Sequence, residues 1–134
     1  NLIDNKKISM FTIKDWLRQN KNQVENILNH NERYIFFSIN KRASTSALGA
    51  LGKNLIPQVS IAVDKKIYPL GIPFLIKTKN NYTLSPAISH DTGSAIIGPN
   101  RADLYTGRDK IAEKIAGTLK KELYLLALVP KKNE

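Results

Sequence analysis

The chain contains no cysteine, and this absence removes disulfides, thiolate metal sites and a thiol nucleophile together. Only two histidines occur, His30 and His90. Neither has the further His or Cys ligands that a metal site draws together, so no metal and no cofactor is expected. No apolar run approaches the roughly 20 residues that cross a bilayer, so no membrane span is expected either. Acidic residues are few: 11 Asp and Glu stand against 21 Lys and Arg, giving a formal charge of +10. Such an excess attracts anionic partners. The lysines, however, fall in scattered pairs (Lys6-Lys7, Lys65-Lys66, Lys120-Lys121, Lys131-Lys132) with no dense basic helix. No platform of interleaved aromatic and basic residues accompanies them. The charge reads as a solvated surface, and nucleic acid is not expected as a partner.

What is present suits one folded core. The chain has 134 residues, 42% of them hydrophobic, enough for a single domain. It opens on Asn1 rather than a methionine, so a longer parent protein is expected. Residues 1–32 read as a helical lead-in. Thr12-Ile13-Lys14-Asp15 has the form of a capping box, with Ile13, Trp16 and Leu17 on one face. Asn22-Gln23-Val24-Glu25 repeats the pattern, followed by Ile27 and Leu28. Trp16 on that stripe is expected in the core rather than on a sugar.

From residue 33 the idiom turns to β, and 33–134 is expected to form one barrel domain. Runs at 34–39, 59–63, 74–79, 83–89 and 123–129 are rich in β-branched, aromatic and apolar residues, and Pro57, Pro69, Gly71, Pro73, Pro86, Gly98 and Pro99 punctuate them. The expected architecture is mainly β, a small six-stranded barrel preceded by helices. One helix should interrupt the strands. Asp109 would cap it, and Ile111, Ala112, Ile115, Ala116 and Leu119 would pack it on the barrel before the last strand. Residues 41–54, rich in Ser, Ala and Gly, read as a long, weakly structured loop that either lines a cleft or stays a surface excursion.

Three carboxylates carry the chemical signal. Asp91 and Asp103 lie twelve residues apart in a glycine-punctuated, largely uncharged stretch, and Asp64 closes the apolar run Val59-Ser60-Ile61-Ala62-Val63. Carboxylates in such settings serve acid/base chemistry on a neutral polymer. Each ends a different strand or turn, so one tight cluster of all three is not expected. Asp91-Thr92-Gly93-Ser94 also has the form of the aspartic protease signature, which in a chain this short would require a homodimer. A turn role for Asp91, accepting from the Gly93 or Ser94 amide, is the structural reading of the same motif.

An ordered set of motifs decides among these readings. Tyr34-Ile35-Phe36-Phe37, Leu48-Gly49-Ala50-Leu51-Gly52, Ser60-Ile61-Ala62-Val63-Asp64, Ile67-Tyr68-Pro69-Leu70-Gly71, and Asp91-Thr92-Gly93-Ser94-Ala95-Ile96 through Arg101-Ala102-Asp103-Leu104-Tyr105 together closely resemble the membrane-bound lytic transglycosylase A family. The resemblance implies a double-psi β-barrel. It implies cleavage of the MurNAc-β-1,4-GlcNAc bond of peptidoglycan, with a 1,6-anhydro-MurNAc end as product. Asp64, Asp91 and Asp103 match the three aspartates that name that family's 3D domain. On this resemblance Asp103 is the catalytic acid/base, Asp91 a supporting carboxylate and Asp64 a structural or cleft-edge group. Thr92, Gly93, Ser94, Ala95, Tyr105 and Gly107 are implied as substrate contacts.

The family also implies peptidoglycan strands as partner, a periplasmic location, and an outer-membrane anchor and second groove wall supplied by an N-terminal part outside this chain. Ser94, where the family often has a second glycine, and Leu104-Tyr105-Thr106-Gly107, where it is richer in aromatics, depart from the pattern. A binding-only or inactive barrel is the alternative that the absent groove wall leaves open.

Overall fold

A computed structural model describes residues 8–33, 35–36, 47–79 and 81–131. The chain divides into two compact units, Asn1–Ala43 and Ser44–Glu134.

The first unit holds two helices, α1 (Met10–Gln19) and α2 (Val24–Asn29), joined through a 3-10 turn at Lys21–Gln23. The capping box sits one turn earlier than the sequence suggested. Ser9 is the N-cap, its hydroxyl accepting from the Thr12 amide while the Thr12 hydroxyl accepts from the Ser9 amide. Thr12 thus closes the box rather than opening it. No side-chain cap precedes α2, because the 3-10 turn feeds it directly. Neither helix contains a buried residue, and Trp16 is half-buried rather than core.

The second unit is a five-stranded sheet in the order β4-β1-β3-β2-β5, with β1 Ser60–Val63, β2 Pro73–Thr78, β3 Asn81–Thr92, β4 Ala102–Leu104 and β5 Leu123–Ala127. Only the β1/β3 pair is parallel. Ile61, Val63, Phe74, Ala87 and Leu125 form the core, and Ala102 and Leu104 from one edge strand pack on the same cluster as Leu123 and Ala127 from the other. Two edges can reach one cluster only if the sheet curls, so the unit is a half-barrel. Tyr68 closes one side, its ring edge-on to Phe74 at 5.1 Å.

Four expected strands appear with small shifts. The fifth, 34–39, falls largely outside the described residues; Ile35 and Phe36 are described, exposed and without regular structure. The short β4 was not anticipated. Pro86, within the expected run 83–89, lies inside β3 opposite Leu75. β1 begins to pair only at Ile88, so Pro86 has a strand on one side and its missing N–H is not needed on the other. Helix α3 (Lys110–Thr118) is capped as expected, Asp109 Oδ1 accepting from the Ala112 amide at 2.6 Å. Its packing is thinner than expected. Ala112 is its buried residue, fitted against Gly107, whereas Ile111 stays 70% exposed.

Candidate active site

β1 is the organising element of the site. Its central residue, Ala62, is in register with Asp91 of β3 on one side and Asp103 of β4 on the other. Residues in register across a sheet share a face, so Asp91 and Asp103 lie on the same face, two strand spacings or about 10 Å apart at the backbone. A bulge makes this possible. Ile61 pairs with Ser89 but Ala62 pairs with Asp91, so His90 is an extra residue that re-aims β3 and brings Asp91 level with Asp103.

The three aspartates have different surroundings. Asp91 Oδ1 accepts from the Ala50 amide at 2.9 Å, and the neighbouring Leu51 amide donates to the His90 carbonyl at 3.0 Å. This pins a turn that sequence reading took as weakly structured. Within it Leu48 bridges to Asn54, and the Leu55 amide donates to the Ala47 carbonyl; residues 41–46 of the same expected loop lie outside the described residues. Gly49 is required there, because a Cβ would collide with the His90 carbonyl oxygen.

Asp64, just past β1, is buried and acts as a second clamp. Its Oδ2 accepts from the Gly98 amide at 2.9 Å and its Oδ1 from the Lys66 amide at 3.0 Å. Those two amides, Gly98 first and then Lys66, hold the carboxyl below the usual carboxylate value, with the Lys66 charge adding to them and burial opposing. The Tyr68 hydroxyl donates to the Pro99 carbonyl at 2.9 Å. Asp64 and Tyr68 therefore fix the turn that leads directly into β4 and Asp103.

Asp103 is the exposed member, its side chain 57% accessible, with Arg101 Nε donating to Oδ1 at 3.1 Å. It lines an open pocket of about 740 Å³. The structure therefore aligns Asp91 with Asp103 and ties Asp64 to a separate loop. Among the described residues no group of three His, Asp or Glu side chains is placed to hold a metal ion.

The other expected contacts fall at the two ends of β1, Thr92 beside Val63 at its end and Tyr105 beside Ser60 at its start. The Thr92 hydroxyl donates to the Val63 carbonyl at 2.9 Å, and the Ile96 amide donates to the Gly93 carbonyl at 3.0 Å, closing a turn with Ser94 and Ala95 exposed at its tip. Tyr105 is half-buried and its backbone extends the β1/β4 pairing through Ser60 and Gln58. Gly107 is also half-buried, at a positive φ of 124° against the first turn of α3.

Sequence reading missed Ala50, Gly98 and Arg101. The first two act through backbone amides and leave no residue-type signal. Arg101 was legible, because residues two apart on an extended chain share a face.

The family model for the 3D domain matches residues 59–129, and that for the MltA specific insert domain matches residues 1–38. The chain belongs to the lytic transglycosylase A family. A membrane-bound lytic murein transglycosylase A homolog from Buchnera aphidicola is 33% identical over 125 residues, covering 86% of this chain and 33% of the relative. The crystal structure of the membrane-bound lytic murein transglycosylase from Agrobacterium tumefaciens is 34% identical, with a TM-score of 0.73 over 93% of this chain and 37% of that one. MltA from Neisseria gonorrhoeae is 32% identical, with a TM-score of 0.78 over 94% of this chain and 33% of that one. This chain thus spans about a third of the length of the curated relative. The mainly-sheet architecture with its helices is the one these solved structures share. Membership in this family sets aside the aspartic protease reading of Asp91-Thr92-Gly93-Ser94.

Proposed function

We propose that this chain is the catalytic part of a peptidoglycan lytic transglycosylase, with Asp103 as the single acid/base. The observation that carries the reading is the alignment of Asp91 and Asp103 across Ala62, one carboxylate pinned by a backbone amide and the other exposed beside a pocket. In the first step the Asp103 carboxyl gives its proton to the GlcNAc O4 as the glycosidic bond breaks, leaving positive charge at C1 of MurNAc. In the second, the MurNAc C6 hydroxyl adds to C1 and its proton returns to the Asp103 carboxylate. The proton is restored and no water is consumed, so the product is the 1,6-anhydro end. This differs from a two-carboxylate hydrolase, where water or a second carboxylate attacks C1.

Asp91 contributes negative charge on the same face toward the developing oxocarbenium, and Asp64 holds the turn that presents Asp103. Thr92 to Ala95 at one end of β1, and Tyr105 and Gly107 at the other, are read as contacts of the glycan. The half-barrel is read as part of a double-psi barrel. The setting is the periplasm, with anchorage at the outer membrane through another part of the protein. Among the described residues no helix is long and apolar enough to cross a membrane. Orienting the polymer supplies several kcal/mol of a reaction like this one. The isolated chain should therefore bind glycan and cleave it weakly.

The test is mass spectrometry of muropeptides after purified sacculi are incubated with the full-length protein. Asp103→Asn should abolish 1,6-anhydro products while sacculus binding persists. Undiminished release by that variant, with Asp91→Asn inactive instead, would move the acid/base role to Asp91.

A further inference from the structure

The Asp103 carboxyl has a single partner. Among the described residues Arg101 alone bonds its side chain, Nε donating to Oδ1 at 3.1 Å, and Oδ2 accepts from none of them. Residues two apart on an extended chain share a face, and Ala102 between them packs on the core cluster, so Arg101 and Asp103 both point away from the core. The backbone of Arg101 is held from both ends. The turn before it is clamped, Gly98 by Asp64 and Pro99 by Tyr68, and Ala102 after it pairs with Val63 of β1. Arg101 and Asp103 are both more than half exposed, and an ion pair in such a place adds little to stability. What the contact sets is the direction of the carboxyl.

We propose that Arg101 is a positioning residue for Asp103, holding Oδ1 through both halves of the reaction so that Oδ2 is the atom that carries the proton. The inference deepens the transglycosylase reading above and rests on it. A single carboxyl that serves twice is protonated before the first step and ionised before the second, and its partner must suit both states. A guanidinium does so. It has donors only and keeps its protons, so it neither takes the proton from Asp103 nor returns one. Oδ1 accepts from Nε as the carbonyl oxygen of the acid and as an oxygen of the carboxylate alike. Oδ2 gives its proton to the GlcNAc O4 in the first step and receives that of the MurNAc C6 hydroxyl in the second, and the carboxyl does not turn over between them. A carboxylate or a neutral imidazole in the place of Arg101 would compete for the same proton.

The experiment measures kcat and KM of the full-length protein on purified sacculi, from the release of 1,6-anhydro-muropeptides. Arg101→Met keeps an unbranched side chain and removes the donor. It should lower kcat by roughly ten- to a hundredfold, the scale of a misplaced reacting group, with KM little changed. Arg101→Gln puts its amide Nε2 at the same number of bonds from the backbone as the guanidinium Nε, restoring the donor without the charge, and should recover most of the lost rate. Thermal midpoints of both variants should stay at the wild-type value. A Met variant with wild-type kcat, a loss that appears in KM instead, a Gln variant as slow as the Met variant, or a midpoint that falls along with the rate would each overturn the role of Arg101. Undiminished anhydro products from Asp103→Asn would sink the transglycosylase reading itself, whereas an inactive Asp103→Asn beside an Arg101→Met at full rate removes the role of Arg101 alone.

Discussion

The Ser60 hydroxyl lies 2.7 Å from Nδ1 of His90, and both residues are buried. Ser60 Oγ also accepts from the Ile56 amide at 2.7 Å, so one hydroxyl serves both that amide and the imidazole. The pair joins the start of β1 to the bulge in β3, and hence to the carbonyl and carboxylate that hold the 47–55 turn. Ser60→Ala would leave the Ile56 amide and Nδ1 without this shared partner in a buried place, which costs about 1–3 kcal/mol. Chemical denaturation of the variant should show a loss of that size with an unchanged m-value.

Gly49→Ala tests the turn from its other side. A Cβ there meets the His90 carbonyl, which is backbone and cannot swing away, and the Leu55 side chain as well. Overpacking of this kind typically destabilises by about 1–3 kcal/mol. The specific expectation is local: hydrogen exchange at the Ala50 and Leu51 amides should speed up more than exchange at Ile61 or Val63. Protection that falls uniformly across β1 and the turn would show that the turn is not a separate clamp.

Much of this arrangement was legible in the sequence, and the gaps have physical causes. β1, β2 and β5 were readable because β-branched and apolar residues fill strands buried in one core. The Asp109 cap was readable because a cap is a local event. β4 was not, since Ala102-Asp103-Leu104 is short and centred on a charge, and it is a strand only because the outer side of β1 accepts it. The aspartates themselves stood out, but their duties did not. Asp91 and Asp64 find amides 41 and 34 residues away in sequence, and no residue type marks a backbone donor.

Asp64 makes a pH prediction whose sign is fixed by its amides. Its folded value lies below the ordinary 3.8, so the folded state holds the proton less tightly than the unfolded one. The stabilisation is fully present above the unfolded value and is lost as pH falls through the folded value. Unfolding measured from pH 2 to 7 should show an acid-side slope that Asp64→Asn lacks, while the variant is less stable than wild type at neutral pH. Parallel curves for the two proteins below pH about 4 would show that Asp64 does not titrate with folding.

Asp91 and Asp103 should separate cleanly when stability and turnover are measured on the same variants. Asp103 is exposed, and its hydrogen bond to Arg101 joins two solvated groups. Asp103→Asn is therefore expected to change stability by less than about 0.5 kcal/mol while removing anhydro-product formation, because an amide cannot cycle the proton. Asp91→Asn retains an oxygen able to accept from Ala50, so it should fold normally and lose only part of the rate, through the missing charge. Asp91→Ala removes the acceptor as well and should cost about 1 kcal/mol, with faster exchange at the Ala50 amide. Paired measurement of thermal midpoint and kcat for the three variants checks the division of labour. If Asp91→Asn were as inactive as Asp103→Asn at undiminished stability, Asp91 would take part in the proton transfer itself, and the single-carboxylate mechanism would have to give way to one in which both aspartates act.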